Sequence, residues 1–220
     1  IHGPGTLHLE QTPCEHHIAS PDVLVDEDRL EIRMYYHGCV TVDGRHCQRT
    51  FVATSRDGRE FTSRRDVLGN FYFRVSRWGG WHYACCKEGQ FLRSRDGLAP
   101  FEPGPRLLAP EREGVVVRHV ALQLCGDVLR VFFSRIGDCP ERIMMSQIEL
   151  TDDWTKWRSG PPIDILRPEM GYEGASEPLE PSSEGLVMGP ANQLRDPAVY
   201  EEAGRTYLVY SVAGEYGLAI

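Results

Sequence analysis

The sequence predicts an all-β fold, a five-bladed β-propeller whose blades are four-stranded antiparallel sheets. A unit of about 40 to 55 residues recurs along the chain, and this is the period of propeller blades. Strong β-formers fill the strand positions of the unit, and Gly, Asp and Pro fill its turns. Long amphipathic helical patterns are almost absent. The alternative fold, a β-sandwich, also has many short strands but does not repeat a unit of this length.

The first two strands of the unit can be traced in four copies. These copies are residues 22–37, 71–86, 118–138 and 195–215. When the copies are laid together without gaps, Asp22 and His119 fall beneath Asp196, and Arg118 falls beneath Arg195. The copy at 71–86 fits less well because its first strand is shorter. The blades are therefore expected to begin at Asp22, near Tyr72, at His119 and at Asp196.

A third strand with a polar turn accompanies three of the copies. It reads FVATSRDG at 51–58, FLRSRDG at 91–97 and MMSQIELTDDW at 144–154. A fifth blade is predicted to begin within residues 172–188, because a Ser-Ser-Glu-Gly turn there precedes an apolar run. Five blades of about 50 residues need more chain than this. We therefore expect one propeller domain over residues 1–220 that lacks residues at both ends.

The composition is that of an acidic globular chain. Of the 220 residues, 41% are apolar and 25% are charged, and the formal net charge is −8 at pH 7. A general nucleic-acid binder needs a basic face to neutralise phosphates, so no nucleic-acid partner is expected. No run approaches the roughly 18 apolar residues of a membrane helix, so no membrane partner is expected either. The composition carries no signal for the oligomeric state.

The cysteine pattern points to a reducing compartment. The chain has seven cysteines and no C-x-x-C pair. Cys85 and Cys86 are adjacent, and adjacent side chains on a strand point to opposite faces, so the two cannot share one metal. An odd number of unpaired thiols, with no visible signal segment, predicts a cytoplasmic protein.

The start of each blade is where polar residues are expected to gather. In a propeller the first strand of every blade lines the central channel, so residues at equivalent repeat positions converge at its mouth. These positions hold Asp22, His119 and Asp196, and Arg118 and Arg195 precede two of them. Pro197 follows Asp196, and a proline is tolerated as the first residue of a strand.

Further polar residues are expected beside this channel. Glu173 or Glu177 would enter from the intervening blade, and the Glu-Gly context favours Glu173. His17 lies shortly before Asp22 and could reach the channel from a loop. Gathered carboxylates are what glycoside cleavage needs, because one must be protonated and another ionised. Mutual repulsion and burial separate the pKa values of such a pair.

Short motifs resemble those of the five-bladed propeller glycosidases, the set that includes families 43 and 32. Arg195-Asp196-Pro197 resembles the Arg-Asp-Pro motif of the family 32 invertases. Tyr172-Glu173-Gly174-Ala175 resembles the Glu-Gly-Pro type of motif that carries their general acid, and the run from His17 to Asp22 resembles the Asp-Pro entry of their first blade. The Ser-Arg-Asp-Gly turns are also similar to turns of these enzymes. Each motif is three to six residues long.

The resemblance implies a glycosidase that acts on a carbohydrate substrate. In that interpretation Asp22 is the base or nucleophile, Glu173 is the acid, and Asp196 stabilises the transition state. Arg195, Arg118, His119, His17 and Glu177 would bind substrate. The resemblance implies no cofactor, although some members hold a calcium ion on the channel axis. The order of the acidic residues departs from the family pattern, and His119 stands where an Asp is expected.

Two other functions compete with hydrolysis. A non-catalytic propeller that binds a sugar or a protein would also have an acidic pocket, but it would not need carboxyl groups about 5–5.5 Å or 6.5–9.5 Å apart. A glycoside phosphorylase would need basic residues near the acid to hold phosphate, and Arg74, Arg118 and Arg195 are the candidates. The sequence names neither the sugar nor the linkage.

Overall fold

The computed structural model describes residues 7–108 and 113–220. These residues form two compact units. Unit 1 comprises residues up to Cys86 together with Phe91–Gly104, and unit 2 comprises Lys87–Gln90 and the chain from Pro105 onward. The fold is all-β, with antiparallel sheets of the propeller type. The division into one propeller domain or more stays a prediction.

Unit 1 is built on two four-stranded antiparallel sheets. The strands of the first sheet are β1 (Ile18–Asp26), β2 (Glu31–Val42), β3 (Arg45–Ser55) and β4 (Thr62–Ser63). Those of the second are β5 (Arg74–Trp78), β6 (Trp81–Cys85), β7 (Gln90–Ser94) and β8 (Glu102–Arg106), the last running from unit 1 into unit 2. In both sheets the strands lie in chain order, which is the topology of a propeller blade.

Unit 2 contains one four-stranded and one three-stranded sheet. The first consists of β9 (Val116–Cys125), β10 (Val128–Ile136), β11 (Ile143–Glu149) and β12 (Ile163–Leu166). The second consists of β13 (Arg195–Glu202), β14 (Arg205–Val212) and β15 (Gly217–Ala219). Single turns of 3-10 helix occur at Leu9–Gln11, Lys87–Gly89, Trp154–Lys156 and Gly171–Glu173.

The repeat copies correspond to the four sheets, and the described residues contain no fifth sheet. Each of the four copies provides the first two strands of one sheet, and the segments at 51–58, 91–97 and 144–154 provide third strands. The prediction that residues 172–188 begin another blade is wrong. After a 3-10 turn this segment contains bends and coil and no strand, so the described residues form four sheets and not five.

Tight two-residue turns join several neighbouring strands. Asp43-Gly44, Gly79-Gly80 and Ala203-Gly204 have positive φ at both residues, from 50° to 74°. Turns of this type match the twist of the flanking strands and require residues that tolerate left-handed backbone. Gly and Asp tolerate left-handed backbone, whereas Ala203 adopts it at a steric cost.

A β-bulge interrupts the first strand of three sheets. In β1 the pairing with β2 shifts between Ala19 and Asp22, and in β13 the pairing with β14 shifts between Arg195 and Ala198. The same shift in β9 leaves Arg118 and His119 opposite one residue of β10. Two residues therefore face one in each case, and such bulges re-aim side chains at the end of a strand.

The bulges correct the ungapped alignment of the copies. The bulged pairs are Ser20-Pro21 in β1, Arg118-His119 in β9 and Asp196-Pro197 in β13. Asp196 therefore corresponds to Ser20, not to Asp22. The alignment slips because the hairpin turn after β1 has four residues, whereas the turn after β13 has two. Ser20 and Asp196 share a positive φ of 50° and 48°.

The aspartates of the Ser-Arg-Asp-Gly turns accept hydrogen bonds from within their own turns. Asp57 accepts hydrogen bonds from the amides of Arg59 and Glu60 at 2.9 and 3.0 Å and from the Ser55 hydroxyl at 3.0 Å. These donors lower the pKa of Asp57 to about 2. Asp96 likewise accepts from the amides of Leu98 and Ala99. Each aspartate therefore orders its own turn.

A buried charge cluster links the two sheets of unit 1. Arg33, which is fully buried, lies 2.9 Å from Glu31 and 3.4 Å from the buried Asp26. Its Nη1 is 3.2 Å from Nε2 of His82 and donates to the carbonyl of Asp96. Because a guanidinium only donates, Nε2 of His82 must accept, and the ring is neutral. Burial and the positive charges of Arg33 and Arg77 lower the pKa of His82 to about 4.

The protein is expected to lose stability in mild acid because of His82. The unfolded ring takes up a proton near pH 6.5 and the folded ring only near pH 4, so unfolding is favoured progressively as the pH falls between these values. The change is up to about 3 kcal/mol in the free energy of unfolding. Denaturant titrations at a series of pH values should show a smaller loss in His82→Gln. His46→Gln, at an exposed site, is the control and should behave as wild type. Equal acid sensitivity of His82→Gln and wild type would contradict the assignment.

Other features of the fold bear on the predicted location and partners. No disulfide joins any of the seven cysteines, all of which lie within the described residues. Among the described residues, no helix has the length and apolar character needed to cross a bilayer. The cytoplasmic location itself stays a prediction.

Candidate functional site

In unit 2 the two bulged strands bring His119 and Asp196 into contact. Nδ1 of His119, on β9, lies 2.9 Å from Oδ1 of Asp196, on β13. The other carboxylate oxygen of Asp196 accepts a hydrogen bond from the Ser211 hydroxyl at 3.2 Å. The His119 side chain is 7% exposed, whereas that of Asp196 is 37% exposed. The pair thus offers solvent a carboxylate edge backed by a buried imidazole.

A buried carboxylate lies behind this pair. Glu141, which is completely buried, accepts from Nε of Arg118 at 2.8 Å and from the Ser134 hydroxyl at 2.8 Å. Its second oxygen is 3.2 Å from Nε of the fully buried Arg195. We call Arg118, Glu141 and Arg195 the arginine–glutamate cluster. The two arginines immediately precede His119 and Asp196 in sequence, so this cluster fixes the backbone from which the pair projects.

Both arginines make further hydrogen bonds. Arg195 donates to Gln193 at 2.5 Å, to Glu215 at 2.9 Å and to the carbonyl of Gly185 at 3.1 Å. Arg118 donates to the carbonyl of Ser183. Both arginines were predicted to bind substrate. Because both are buried and make these contacts, their role in the structure is to bind Glu141 and the loop at 183–185.

No sequence motif indicates Glu141. This residue lies in the connection between β10 and β11, outside every repeated motif. Its backbone carbonyl accepts from the amide of Leu194, and it pairs with Gln193 in an isolated parallel bridge. A lone glutamate in a loop has no sequence signature, and its burial depends on which strand packs beside it. Pattern analysis therefore could not have found it.

Glu173 is anchored by three hydrogen bonds. One carboxylate oxygen accepts from the amides of Glu169 and Met170 at 2.8 and 2.9 Å, and the other accepts from the Tyr210 hydroxyl at 2.9 Å. Burial raises the pKa of Glu173, but these donors outweigh it and the pKa is lowered. The pKa of Tyr210 is raised to about 12. Such donors stabilise an ionised carboxylate and oppose the role of proton donor that the motif suggested.

Steric crowding explains why a glycine follows Glu173. Gly174 adopts φ 86° at the end of the 3-10 turn, and a Cβ placed there would lie 2.1 Å from the carbonyl oxygen of Ala191. The Glu-Gly motif is thus a tight junction. Glu177 contributes its backbone, whose carbonyl accepts from the side-chain amide of Asn192 at 3.2 Å. Its half-exposed carboxylate has no structurally assigned role.

Asp22 lies in unit 1, just after the bulge of β1. Its carboxylate accepts from the amide of Val75 at 2.7 Å. Burial raises the pKa of Asp22, and this outweighs the opposing effects of Arg74 and of the Val75 hydrogen bond. Arg74 donates to the carbonyls of Ser20 and Phe73. Asp22 is therefore a carboxyl group that takes up a proton more readily than usual.

His17 also lies in unit 1, on the exposed surface. Its ring is edge-on to His37, with the centroids 6.2 Å apart, and its Nδ1 is 3.7 Å from the sulfur of Cys39. His37 is buried against the ring of Tyr72 at 4.5 Å. These contacts belong to an aromatic cluster and do not include Asp22. Within the described residues, no three His, Cys, Asp or Glu side chains are arranged to hold a metal ion.

Replacing Glu173 should destabilise the protein in a pH-dependent way. The Glu173→Gln variant loses charge-assisted hydrogen bonds, and we expect a loss of about 1–2 kcal/mol in the free energy of unfolding at neutral pH. Because the folded pKa lies below the ordinary 4.5, this advantage of wild type is fully present above pH 4.5 and is lost as the pH falls further. Urea titrations at neutral and acid pH measure it. The control Glu177→Gln should be neutral, and equal effects of the two variants would contradict the anchoring role.

Solved structures similar to this chain include glycosidases. A glycosyl hydrolase from Bacteroides ovatus matches with a TM-score of 0.62 and 14% identity over 91% of this chain and 64% of its own. The family 32 β-fructofuranosidase of Bombyx mori matches with a TM-score of 0.60 and 14% identity over 87% of this chain and 42% of its own. This chain thus spans less than two thirds of either enzyme. At such identities the likeness establishes the β-propeller type of fold alone.

A sequence relative is far closer. No family model matches the chain. The mimivirus of Acanthamoeba polyphaga encodes uncharacterized protein R118, which is 36% identical over 242 aligned residues. The alignment covers 100% of this chain and 67% of that protein. The chain therefore belongs to the same family as uncharacterized protein R118 of the mimivirus.

Proposed function

We propose that this protein acts on the O-glycosyl bonds of a carbohydrate. The observation that carries the proposal is the His119–Asp196 pair, a half-exposed carboxylate held 2.9 Å from a buried imidazole on a β-bulge. The propeller fold shared with glycosidases supports it. Within the proposal, the Arg-Asp-Pro motif keeps the importance that the sequence assigned to it, but through Asp196 and not through the side chain of Arg195.

The pair suits a developing positive charge or a sugar hydroxyl. An ionised Asp196 beside the reacting carbon would stabilise an oxocarbenium-like transition state electrostatically. Asp196 has a positive φ of 48° and lies in the bulge, outside the regular pairing of β13 with β14. Pro197 has no amide hydrogen, so its position in the bulge breaks no hydrogen bond between the strands. His119 supports this carboxylate through its Nδ1, which lies 2.9 Å from Oδ1 of Asp196. Glycosyl transfer to an acceptor other than water would use the same groups.

Hydrolysis requires a second carboxyl group, and two candidates remain proposals. Asp22 has the raised pKa that a general acid needs, whereas the sequence suggested a base or nucleophile. Glu173 has the lowered pKa of an ionised group, whereas the sequence suggested the acid. The environments of the two residues thus favour the reverse of the predicted roles. His17 and Glu177 stay predictions as substrate-binding residues.

The three arginines that a glycoside phosphorylase would use to hold phosphate already bind protein groups. Arg118 and Arg195 bind Glu141, and Arg74 donates to backbone carbonyls, so each guanidinium already has partners. A phosphate would have to displace them. The non-catalytic propeller remains the second candidate, because a half-exposed Asp196 beside His119 is also a good acceptor for the hydroxyls of a bound sugar. Nothing in the described residues favours a calcium ion at this pair.

The proposal predicts turnover that depends on the His119–Asp196 pair. The protein would be incubated with aryl glycosides and plant or microbial oligosaccharides, alongside Asp196→Asn and His119→Gln. We expect kcat/KM to fall about 100- to 1000-fold in Asp196→Asn, because one electrostatic contact to the transition state is lost. His119→Gln should lose about 100-fold. Asp22→Asn and Glu173→Gln, assayed in parallel, identify the second carboxyl group.

Controls separate loss of activity from loss of fold. Asp152→Asn removes an exposed carboxylate from unit 2 outside the site and should leave kcat/KM unchanged. Undiminished turnover in Asp196→Asn would disprove the proposed site. An absence of turnover by wild type on every substrate, combined with thermal stabilisation by an oligosaccharide that Asp196→Asn abolishes, would establish the sugar-binding propeller instead.

A further inference from the structure

We propose that Glu141 is a positioning residue that sets the geometry of the His119–Asp196 pair. The inference rests on the proposed function for its kinetic consequence, but its structural content can be tested separately. Glu141 touches neither His119 nor Asp196 in the contacts described above. It acts on the residue that precedes each of them, Arg118 on β9 and Arg195 on β13.

The two oxygens of Glu141 divide between the two strands. Oε1 serves the bulge of β9, since Arg118 is one of the bulged residues and Ser134 lies opposite it on β10. Oε2 faces Arg195, the last paired residue before the bulge of β13. One carboxylate thus spans both bulges. Its own backbone is tied to β13 through the amide of Leu194, which leaves the side chain little freedom to follow either strand alone.

Burial makes this arrangement sensitive to substitution. All three charged groups of the arginine–glutamate cluster are at most 5% exposed, so water cannot replace a lost partner. An ionised carboxylate can accept from both guanidinium groups, whereas the amide of a glutamine has one acceptor and one donor. In Glu141→Gln the donor end must face one arginine, and like groups repel. One of the two strand starts is then released, and His119 or Asp196 moves with it.

The alternative is that the cluster contributes to stability alone. A buried ion cluster can be merely tolerated, since desolvation offsets much of its attraction. The positions of the arginines argue for more than that. Each one is adjacent to a member of the pair, and Arg118 lies within the bulge that re-aims His119. A displacement of about 1 Å at reacting groups can lower a rate about 100-fold without weakening ground-state binding.

The decisive comparison uses Glu141→Gln and the control Glu215→Gln. Glu215 also accepts from Arg195, at 2.9 Å, but it is 30% exposed and water can replace it. In the folded Glu141→Gln variant we expect the NMR resonances of the His119 ring nitrogens to move well beyond their change in Glu215→Gln. We expect kcat to fall about 100-fold with KM little changed. Unmoved His119 resonances and an unchanged kcat would overturn the proposal, as would a loss confined to thermal stability.

Absence of turnover by wild type and failure of Glu141→Gln to fold have different consequences. If wild type turns over no glycoside, the proposed function fails, and the His119 resonances still decide the role of Glu141. If Glu141→Gln does not fold, Ser134→Ala removes one donor from Oε1 while keeping the charge. A shift in the backbone amide resonance of Asp196, on the other strand, would then show that the carboxylate of Glu141 transmits the structural change from β9 to β13. An unmoved resonance would refute it.

Discussion

The carboxylate of Glu141 between Arg118 and Arg195 constrains unit 2 more than any other contact described. Burial of an ion costs several kcal/mol unless close partners replace its water, so all three groups must meet together or stay in solvent. They come from β9, from β13 and from the connection between β10 and β11. Their meeting therefore fixes how the four-stranded and three-stranded sheets of this unit join. The excess positive charge is balanced by Glu215 at the edge.

The bulges turn this constraint into a site. A regular strand would alternate its side chains between two faces, and neighbouring residues could not both serve one locality. With two residues facing one, Arg118 points into the buried cluster while His119, next to it, contacts Asp196. The same device in β1 presents Ser20 and Pro21, which carry no charge. A shared backbone feature thus presents charged or ionisable side chains in one strand and uncharged residues in another.

The limits of sequence reasoning follow from the same geometry. The repeat and the four strand pairs that begin the sheets could be predicted, because local β-propensity and turn residues specify them. The equivalence of Asp196 with Ser20, and not with Asp22, could not be predicted, because the hairpins differ in length and a bulge leaves no trace in composition. The apolar run at 186–188 was predicted to form a strand, but without a partner strand it remains exposed coil. Glu141 depends on contacts between segments distant in sequence.

Three carboxylates of unit 2 show why residue type alone is a poor guide to role. Glu141 is fully buried between cations, Glu173 is buried among neutral donors, and Asp196 is half-exposed beside an imidazole. The first two direct their carboxylate oxygens at protein groups, which are Arg118 and Arg195 for Glu141 and Tyr210 with two backbone amides for Glu173. Asp196 combines a fixed position with a solvent-facing edge. In the proposed mechanism the buried contacts of Glu141 keep the exposed carboxylate of Asp196 in place, and electrostatic catalysis requires a charge of fixed position.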